Sequence, residues 1–131
     1  MPVLTEKHAS LLEREATVRP LSELAGYLQE TLGQRMTAHL VGLEHAKQIG
    51  RYVRSEASPR NELVDRRLRE GYKVVRMLAD AYDATTAKAW LFGTNTRLDD
   101  RAPIDVLSLA AGSEELAAVV RAARQFASVD E

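Results

Sequence analysis

Three histidines, His8, His39 and His45, are the side chains of this sequence best suited to bind a metal ion or to carry a proton. His39 and His45 lie six residues apart across a predicted turn, and neither has a carboxylate three or four residues further on along the same helix. That spacing does not fit a metal site. Cysteine is absent, which excludes a thiol nucleophile, a disulfide and a cysteine-based zinc site.

The adjacent carboxylates Asp99 and Asp100 are the other candidate for chemistry. Neighbouring residues in a loop point apart, and such acids more often cap helices or pair with cations, here Arg97 and Arg101, than hold a metal ion. The sequence has no glycine-rich phosphate loop, nucleophile elbow or H-x-x-x-H motif. We therefore expect a protein that is not an enzyme and that needs no metal and no cofactor.

The distribution of charged residues along the sequence suggests a binding function instead of catalysis. The 131 residues carry 18 Lys and Arg against 19 Asp and Glu, but residues 34–69 have eight bases and four acids, whereas the chain from Tyr72 onward has seven bases and nine acids. Such a distribution suggests two surfaces with different partners, and it is also common on a solvated face without any partner.

The start of the chain, MPVLTEKHASLLERE, carries acids where a secretory signal needs a basic and then an apolar region. No stretch approaches the roughly 18 consecutive apolar residues of a membrane span. The expectation is a cytoplasmic protein without a membrane partner.

Helical periodicity runs through nearly the whole sequence and predicts an all-α fold. A helix of about 20 residues is predicted from Asn61, with Ser58-Pro59 as its start signal. Its apolar positions recur at steps of four and three: Val64, Leu68, Gly71, Val75, Leu78 and Tyr82. Three pairs of opposite charge lie four residues apart on its outer face: Glu62 with Arg66, Asp65 with Arg69, and Arg76 with Asp80. Asp83 should end this helix and cap the next.

Shorter helices are predicted over residues 21–32, 35–41, 44–56, 84–92 and 103–111. The last helix follows the breaker Gly112, with Ser113 as its cap. Its apolar face holds Leu116, Val119, Val120, Ala123, Phe126 and Ala127. Because broad apolar stripes on a small protein leave some surface uncovered, we also expect a homo-oligomer.

Residues 89–107 form a corner between two of these helices. Trp90 pins the end of one helix to the core, and Gly93 stops it. Asn95 is placed to bond the backbone of the loop, Leu98 folds inward, and Pro103 opens the next helix.

A helical hairpin is predicted around Gly42. Ala38 is small where one helix lies close to another, and Leu43 and Ile49 point inward, a pattern that resembles a helix-turn-helix. Ordinary packed helices show the same spacing. In a DNA reader, the second helix would present Glu44, His45, Lys47, Gln48, Arg51 and Arg54 outward.

A helix that ends in Trp-Leu, followed by Asn95, Leu98, Asp99, Pro103, Leu107 and Gly112 at these spacings, resembles the toxin-binding domain of the Xre/MbcA/ParS antitoxin family. The likeness runs from about residue 67 to residue 126. The preceding VGLEHAKQIGRYVRSEASP is similar to the helix-turn-helix that often stands before this domain, with Ser55-Glu56 where a glycine-containing turn is usual. Residues 1–20 match no part of this family. We therefore predict a variable segment (1–20), a helix-turn-helix-like region (21–58) and a small helical toxin-binding domain (59–131).

The resemblance implies a type II antitoxin, usually oligomeric, that neutralises a RES-domain toxin of an NAD-degrading family. It further implies repression of the protein's own operon where the helix-turn-helix binds operator DNA. Two rival classes stay open: a stand-alone helix-turn-helix transcriptional regulator without a toxin partner, and a structural helical adaptor. A RES-domain gene next to this one would favour the antitoxin.

On that resemblance, the toxin-binding residues are expected in the C-terminal half: Trp90, Asn95, Leu98, Pro103, Arg121, Arg124 and Phe126. Arg121 and Arg124 could plug a toxin pocket built for the pyrophosphate of NAD, with Phe126 as an apolar anchor. The alternatives are that both arginines are solvated surface charges, that Phe126 belongs to the core, and that the interface lies around residues 90–103.

Overall fold

A computed structural model describes residues 3–128, which form eight α-helices, one short 3₁₀-helix and no strand. The all-α prediction is therefore confirmed. The helices are α1 Glu6–Val18, α2 Leu21–Leu32, α3 Gln34–Val41, α4 Lys47–Val53, α5 Glu62–Ala81, α6 Ala84–Phe92, α7 Pro103–Leu109 and α8 Ser113–Ala127; the 3₁₀-helix is Thr96–Leu98. None of the helices within residues 3–128 has the length and hydropathy that crossing a membrane requires.

The long helix α5 lies at the centre and packs against α1, α2, α3, α6 and α8. Its predicted apolar stripe is buried from Val64 to Leu78, whereas Tyr82 is only half-buried because the helix ends at Ala81. A helix that is covered by neighbours on several sides needs an apolar surface wider than one stripe. Tyr72 and Lys73 are accordingly buried as well.

The start of α5 lies within one residue of the prediction, and Asn61 provides the cap. The side chain of Asn61 accepts a hydrogen bond from the N–H of Leu63 at 2.8 Å, and the first helical residue is Glu62. An asparagine cap satisfies an N–H group of the first turn, so the helix begins there. Pro59, predicted as the start signal, lies outside that turn.

Two further helix starts depend on acidic side chains. Asp83 caps α6 by accepting from the N–H of Thr86 at 2.7 Å, which confirms its predicted role. Ser113, predicted as the cap of α8, is instead its first helical residue. A Glu115 carboxylate oxygen accepts from the N–H groups of Ala111 and Gly112, both at 3.0 Å, and this replaces the serine cap.

The pairs Asp65–Arg69, at 2.9 Å, and Arg76–Asp80, at 3.1 Å, form as predicted on α5. Among the residues described, Glu62 and Arg66 form no ion pair, so that prediction is wrong. The helix α7 ends at Leu109, earlier than predicted, so Ala111 is exposed and Ala110 is buried instead.

Residues 1–20, for which the sequence indicated no structure, contain the 13-residue helix α1. Only Leu12 and Ala16 of this helix are buried, and most of its attachment to α5 is polar. Glu13 pairs with Lys73 at 2.8 Å. Glu15 pairs with Arg76 at 2.9 Å and accepts a hydrogen bond from the Tyr72 hydroxyl at 2.9 Å.

The buried apolar residues of α1 to α8 form one continuous cluster. Leu24, Leu28 and Leu40 from the helix-turn-helix-like region lie in the same core as Leu68, Leu91 and Leu107 from the predicted toxin-binding domain. Removal of residues 21–56 would therefore open that core.

Candidate functional site

The loop between α6 and α7 is fixed by hydrogen bonds centred on Asn95. Its side-chain oxygen accepts from the N–H of Arg97 at 3.0 Å, its own N–H donates to the Arg101 carbonyl at 3.2 Å, and its carbonyl accepts from the Asp100 N–H at 2.8 Å. Leu98 is buried beneath the loop. The predicted corner, with Asn95 bonding the backbone, is thus confirmed.

Asp99 and Asp100 both adopt the left-handed backbone conformation, with φ of 58° and 61°. Aspartate tolerates that region better than most residues. Among the residues described, neither forms an ion pair with Arg97 or Arg101 and neither caps a helix through its side chain, so the predicted pairing is wrong. The two aspartates set the path of the loop backbone instead.

An open groove of about 470 Å³ runs beside α8. Arg97 from the loop and Arg121 and Arg124 from α8 line it, with Gln125 and the small residues Ala118 and Ala122; we call it the arginine groove. Both predicted arginines of α8 therefore lie in one site. Arg97 was missed as a site residue, although its position in a rigid turn directly after the predicted loop anchor was a usable signal.

Two of the three arginines are paired with exposed carboxylates. Arg121 contacts Glu114 at 2.9 Å, and Arg124 contacts Glu6 of α1 at 2.8 Å. Exposed pairs of this kind contribute little to stability, because water and salt screen them. Arg97 has no ion-pair partner between residues 3 and 128.

Phe126 lies between core and surface. Its side chain is 40% exposed, and its ring centroid is 5.5 Å from that of Tyr82 and 6.4 Å from that of Trp90. The Tyr82 hydroxyl donates to the Phe126 carbonyl at 3.1 Å, which holds the end of α8. Trp90 is half-buried and packs against the core. Part of the Phe126 side chain is therefore exposed at the end of α8.

The remaining predicted toxin-binding residues are less exposed than the arginines. Leu98 and Pro103 are buried, and Asn95 is half-buried and bonded to the loop backbone. Their role in toxin binding stays a prediction, whereas the structure shows Asn95 holding the loop that carries Arg97. The spacing of these three residues indicated a fixed structure, but spacing alone does not separate a support from a contact.

The turn between α3 and α4 has the predicted sharp geometry. Gly42 ends α3 with φ of 78°, its N–H donates to the His39 carbonyl at 3.1 Å, and the Leu43 N–H donates to the Ala38 carbonyl at 2.9 Å. This is a Schellman motif, in which the left-handed residue is usually glycine. The same left-handed conformation occurs at Ser55, with φ of 59°, just after α4.

The second helix of this hairpin begins later than predicted. The N–H groups of Gln48 and Ile49 bond the carbonyls three residues earlier, those of His45 and Ala46, so the regular helix starts at Lys47. Glu44 and His45 are exposed in the connecting turn rather than on the helix. Whether the hairpin reads DNA stays a prediction.

Lys47, Arg51 and Arg54 are exposed and spaced four and three residues apart, which places them along one face of α4. Arg54 donates to both carboxylate oxygens of Glu56, at 3.0 and 3.1 Å, and this hydrogen bonding lowers the pKa of Glu56. Beside α4 is a second groove of about 490 Å³, whose lining includes Glu44, His45, Gln48, Arg51 and Arg60. Arg60 is one of the eight bases of residues 34–69.

Between residues 3 and 128, no three histidine, aspartate or glutamate side chains lie close enough together to hold a metal ion. In the comparisons with known proteins, no family model, no curated protein and no solved structure matches the chain.

Proposed function

We propose that this protein is a type II antitoxin that binds and neutralises a RES-domain, NAD-degrading toxin through the face formed by the arginine groove and the Trp90–Phe126 pair. The supporting observations are that Arg97, Arg121 and Arg124 line one open groove and that Phe126, on the same helix as two of these arginines, is partly exposed. The identity of the toxin comes from the resemblance of residues 67–126 to the Xre/MbcA/ParS family.

The composition of this face suits a protein interface. Arginine and aromatic side chains are the residues that most often dominate binding energy between proteins. The hydrogen bonds of Asn95 hold the Arg97 backbone in place before any partner arrives. A face that is already ordered loses less conformational entropy on binding than a mobile one.

A DNA-binding role is part of the same proposal. The exposed stripe of Lys47, Arg51 and Arg54 on α4 supports contact with the phosphates of operator DNA, and Gln48 lies next to it. This stripe equally supports the second candidate, a stand-alone transcriptional regulator. Operon repression and toxin binding would use different surfaces, because α4 and α8 are separate elements.

Self-association is proposed on apolar exposure. Leu109 is 73% exposed and Phe92 is 55% exposed. Association of two copies would remove such side chains from water, which favours self-association where they form one apolar patch. Sedimentation at micromolar concentration tests this proposal: a dimer or larger species is expected, and a monomer alone would contradict it.

Co-expression tests the proposed function. The tagged full chain is expressed together with the protein encoded by the adjacent gene, which we propose to be the RES-domain toxin, and we expect the two to purify as a complex and the cells to keep growing. A helical, soluble chain that neither retains the toxin nor restores growth, but that binds its own promoter, would support the stand-alone regulator instead.

A further inference from the structure

We propose that the arginine groove receives an acidic segment of a partner protein, whose carboxylates replace Glu6 and Glu114 on Arg124 and Arg121. The inference deepens the proposed function, on which it depends only for naming the toxin as that partner. Sequence alone suggested the reverse arrangement, with the arginines inserted into a pocket of the toxin. Their place along a concave groove of this chain favours a groove that is filled by the partner.

Two arginines of the groove already bind carboxylates, those of Glu6 and Glu114, which are not among the residues that line it. Both arginines of α8 hold a glutamate of their own chain at 2.8–2.9 Å, and these glutamates are 84% and 89% exposed at their side chains. Pairs so open to water exchange readily, because each is worth about 0–1 kcal/mol. A partner that supplies several carboxylates at once can replace them and also engage Arg97.

The positive charges are spread along the helix. Arg121 reaches back to Glu114 in the first turn of α8, whereas Arg124 meets Glu6 of α1. Glu6 lies close to the other end of α8, because the Leu4 N–H donates to the Ala127 carbonyl at 3.0 Å. Arg121 and Arg124 are three residues apart, about 4.5 Å along the helix axis, but they bond carboxylates that lie toward opposite ends of α8. An extended acidic segment suits guanidinium groups that diverge in this way better than one compact phosphate group does.

The floor of the groove leaves room for that segment. Ala118 and Ala122 are one helical turn apart and line the same groove as the arginines, and neither side chain extends beyond Cβ. Gln125 adds a donor and an acceptor at one side. A peptide backbone can thus lie on the alanines while its carboxylates reach the guanidinium groups.

A labelled peptide tests the inference without the toxin. The probe is octaglutamate with an N-terminal fluorescein, long enough when extended to cover about 26 Å, and octaglutamine with the same label is the neutral control. Fluorescence anisotropy of the full chain at low salt should show binding of octaglutamate alone. The affinity should fall as salt rises, because the contacts are ionic.

Substitutions show which side chains strengthen octaglutamate binding and which weaken it. Arg121→Gln with Arg124→Gln should weaken octaglutamate binding at least tenfold, and Arg97→Gln should weaken it measurably. Arg35→Gln with Arg66→Gln removes the same charge from exposed positions outside the groove and should change little. Glu6→Gln with Glu114→Gln removes the internal competitors and should tighten binding by roughly three- to tenfold, from the usual worth of exposed pairs.

Three results would overturn the inference: equal binding by the two arginine double variants, no gain from the two glutamate substitutions, or inorganic pyrophosphate displacing the peptide at lower concentration than free octaglutamate does. The last result would make the groove a phosphate site. Because no toxin is present in this assay, its failure leaves the antitoxin proposal to be judged by co-expression.

Discussion

Arg67 donates two hydrogen bonds, of 2.7 and 3.2 Å, to the backbone carbonyl of Ala110, which lies 43 residues further along the chain. The same guanidinium donates to the Val41 carbonyl at 3.3 Å. These carbonyls belong to the ends of α7 and α3, where no helical N–H is left to bond them. One side chain therefore ties the α3–α4 turn to the segment that leads into α8.

Replacing Arg67 should be costly. Arg67→Ala leaves both carbonyls without this donor, and we expect a loss of about 2–3 kcal/mol in the free energy of unfolding in urea, the usual worth of hydrogen bonds from a charged group. Arg67→Lys should keep only part of the stability that Arg67→Ala loses, because an ammonium group lacks the planar, forked set of donors of a guanidinium group. The exposed neighbour is the control: Arg66→Ala should cost less than about 0.5 kcal/mol. Equal losses in the two alanine variants would contradict this account.

Gly42 is needed for two reasons. Its φ is 78°, and a Cβ there would lie 2.7 Å from the Arg67 guanidinium and 2.8 Å from the Ser108 carbonyl oxygen. Gly42→Ala should therefore lower the free energy of unfolding by more than about 1–2 kcal/mol. Gly26→Ala is the control, since Gly26 is inside α2 with no atom nearer than 3.9 Å, and it should stabilise by about 0.5–1 kcal/mol. Stability changes of the same sign in both variants would rule out this explanation.

Acid should weaken the attachment of α1. Burial raises the pKa of Glu15, but the hydrogen bond from Tyr72 and the charges of Arg76 and Arg19 outweigh it, so the pKa lies below the ordinary 4.5. A carboxyl with a depressed pKa in the folded state stabilises the fold above its unfolded pKa and loses that contribution as the pH falls through the folded pKa.

Unfolding in urea at a series of pH values checks this. The wild type should lose stability below about pH 4.5, and Glu15→Gln should show a smaller loss over the same range together with lower stability at pH 7. Glu30→Gln, an exposed position on α2, should keep the wild-type pH dependence. An unchanged slope in Glu15→Gln would show that this carboxyl does not govern the acid response.

DNA binding by α4 should depend most on Arg51. Arg51→Ala should weaken binding to all sequences and reduce the salt slope by about one unit, whereas Gln48→Ala should mainly relax the preference at one base. Arg54→Ala should do less than Arg51→Ala, because Arg54 is already bonded to Glu56. The measurement is binding to the promoter region of its own gene across salt concentrations, with Arg35→Ala as control. No binding at low salt would leave the hairpin as scaffold.

Periodicity predicted the elements that are held by apolar burial. The bounds of α2, α5 and α6 follow from apolar stripes and from capping or breaking residues, and all three lie within one residue of the prediction. The helix α1 was not predicted, because only two of its residues are buried. Its ion pairs with α5 join residues that are 55 or more positions apart in the sequence. Charges carry no periodic signal, so their long-range pairing cannot be read from spacing.

The candidate site was predictable only in part. Arg121 and Arg124 could be placed on the outer face of α8 because the inner face was apolar. The groove that they share with Arg97 could not be predicted, because it depends on the course of the loop. That course is determined by two aspartates with left-handed backbone conformation. For Leu98 and Pro103 the sequence signal was clear but its meaning was not. Their spacing was distinctive, and the structure shows that both residues are buried.

A deletion of residues 121–131 is a poor test of neutralisation, because it would remove Ala122, Ala123 and Ala127 from the core. The double substitution Arg121→Gln with Arg124→Gln is sharper, since both side chains are exposed. Circular dichroism should first show that this variant and the off-face control Arg35→Gln with Arg66→Gln remain helical.

Cellular NAD content is the most direct measurement of the central claim. It is followed after the protein encoded by the adjacent gene, which we propose to be a RES-domain toxin, is induced together with each form of this chain. We predict that NAD is preserved by the wild type and by the off-face control, and that it falls with the arginine-groove double variant as it does without this protein. NAD depletion despite abundant, folded wild-type protein would contradict the antitoxin proposal, and full protection by the groove variant would contradict the assignment of that function to the arginine groove.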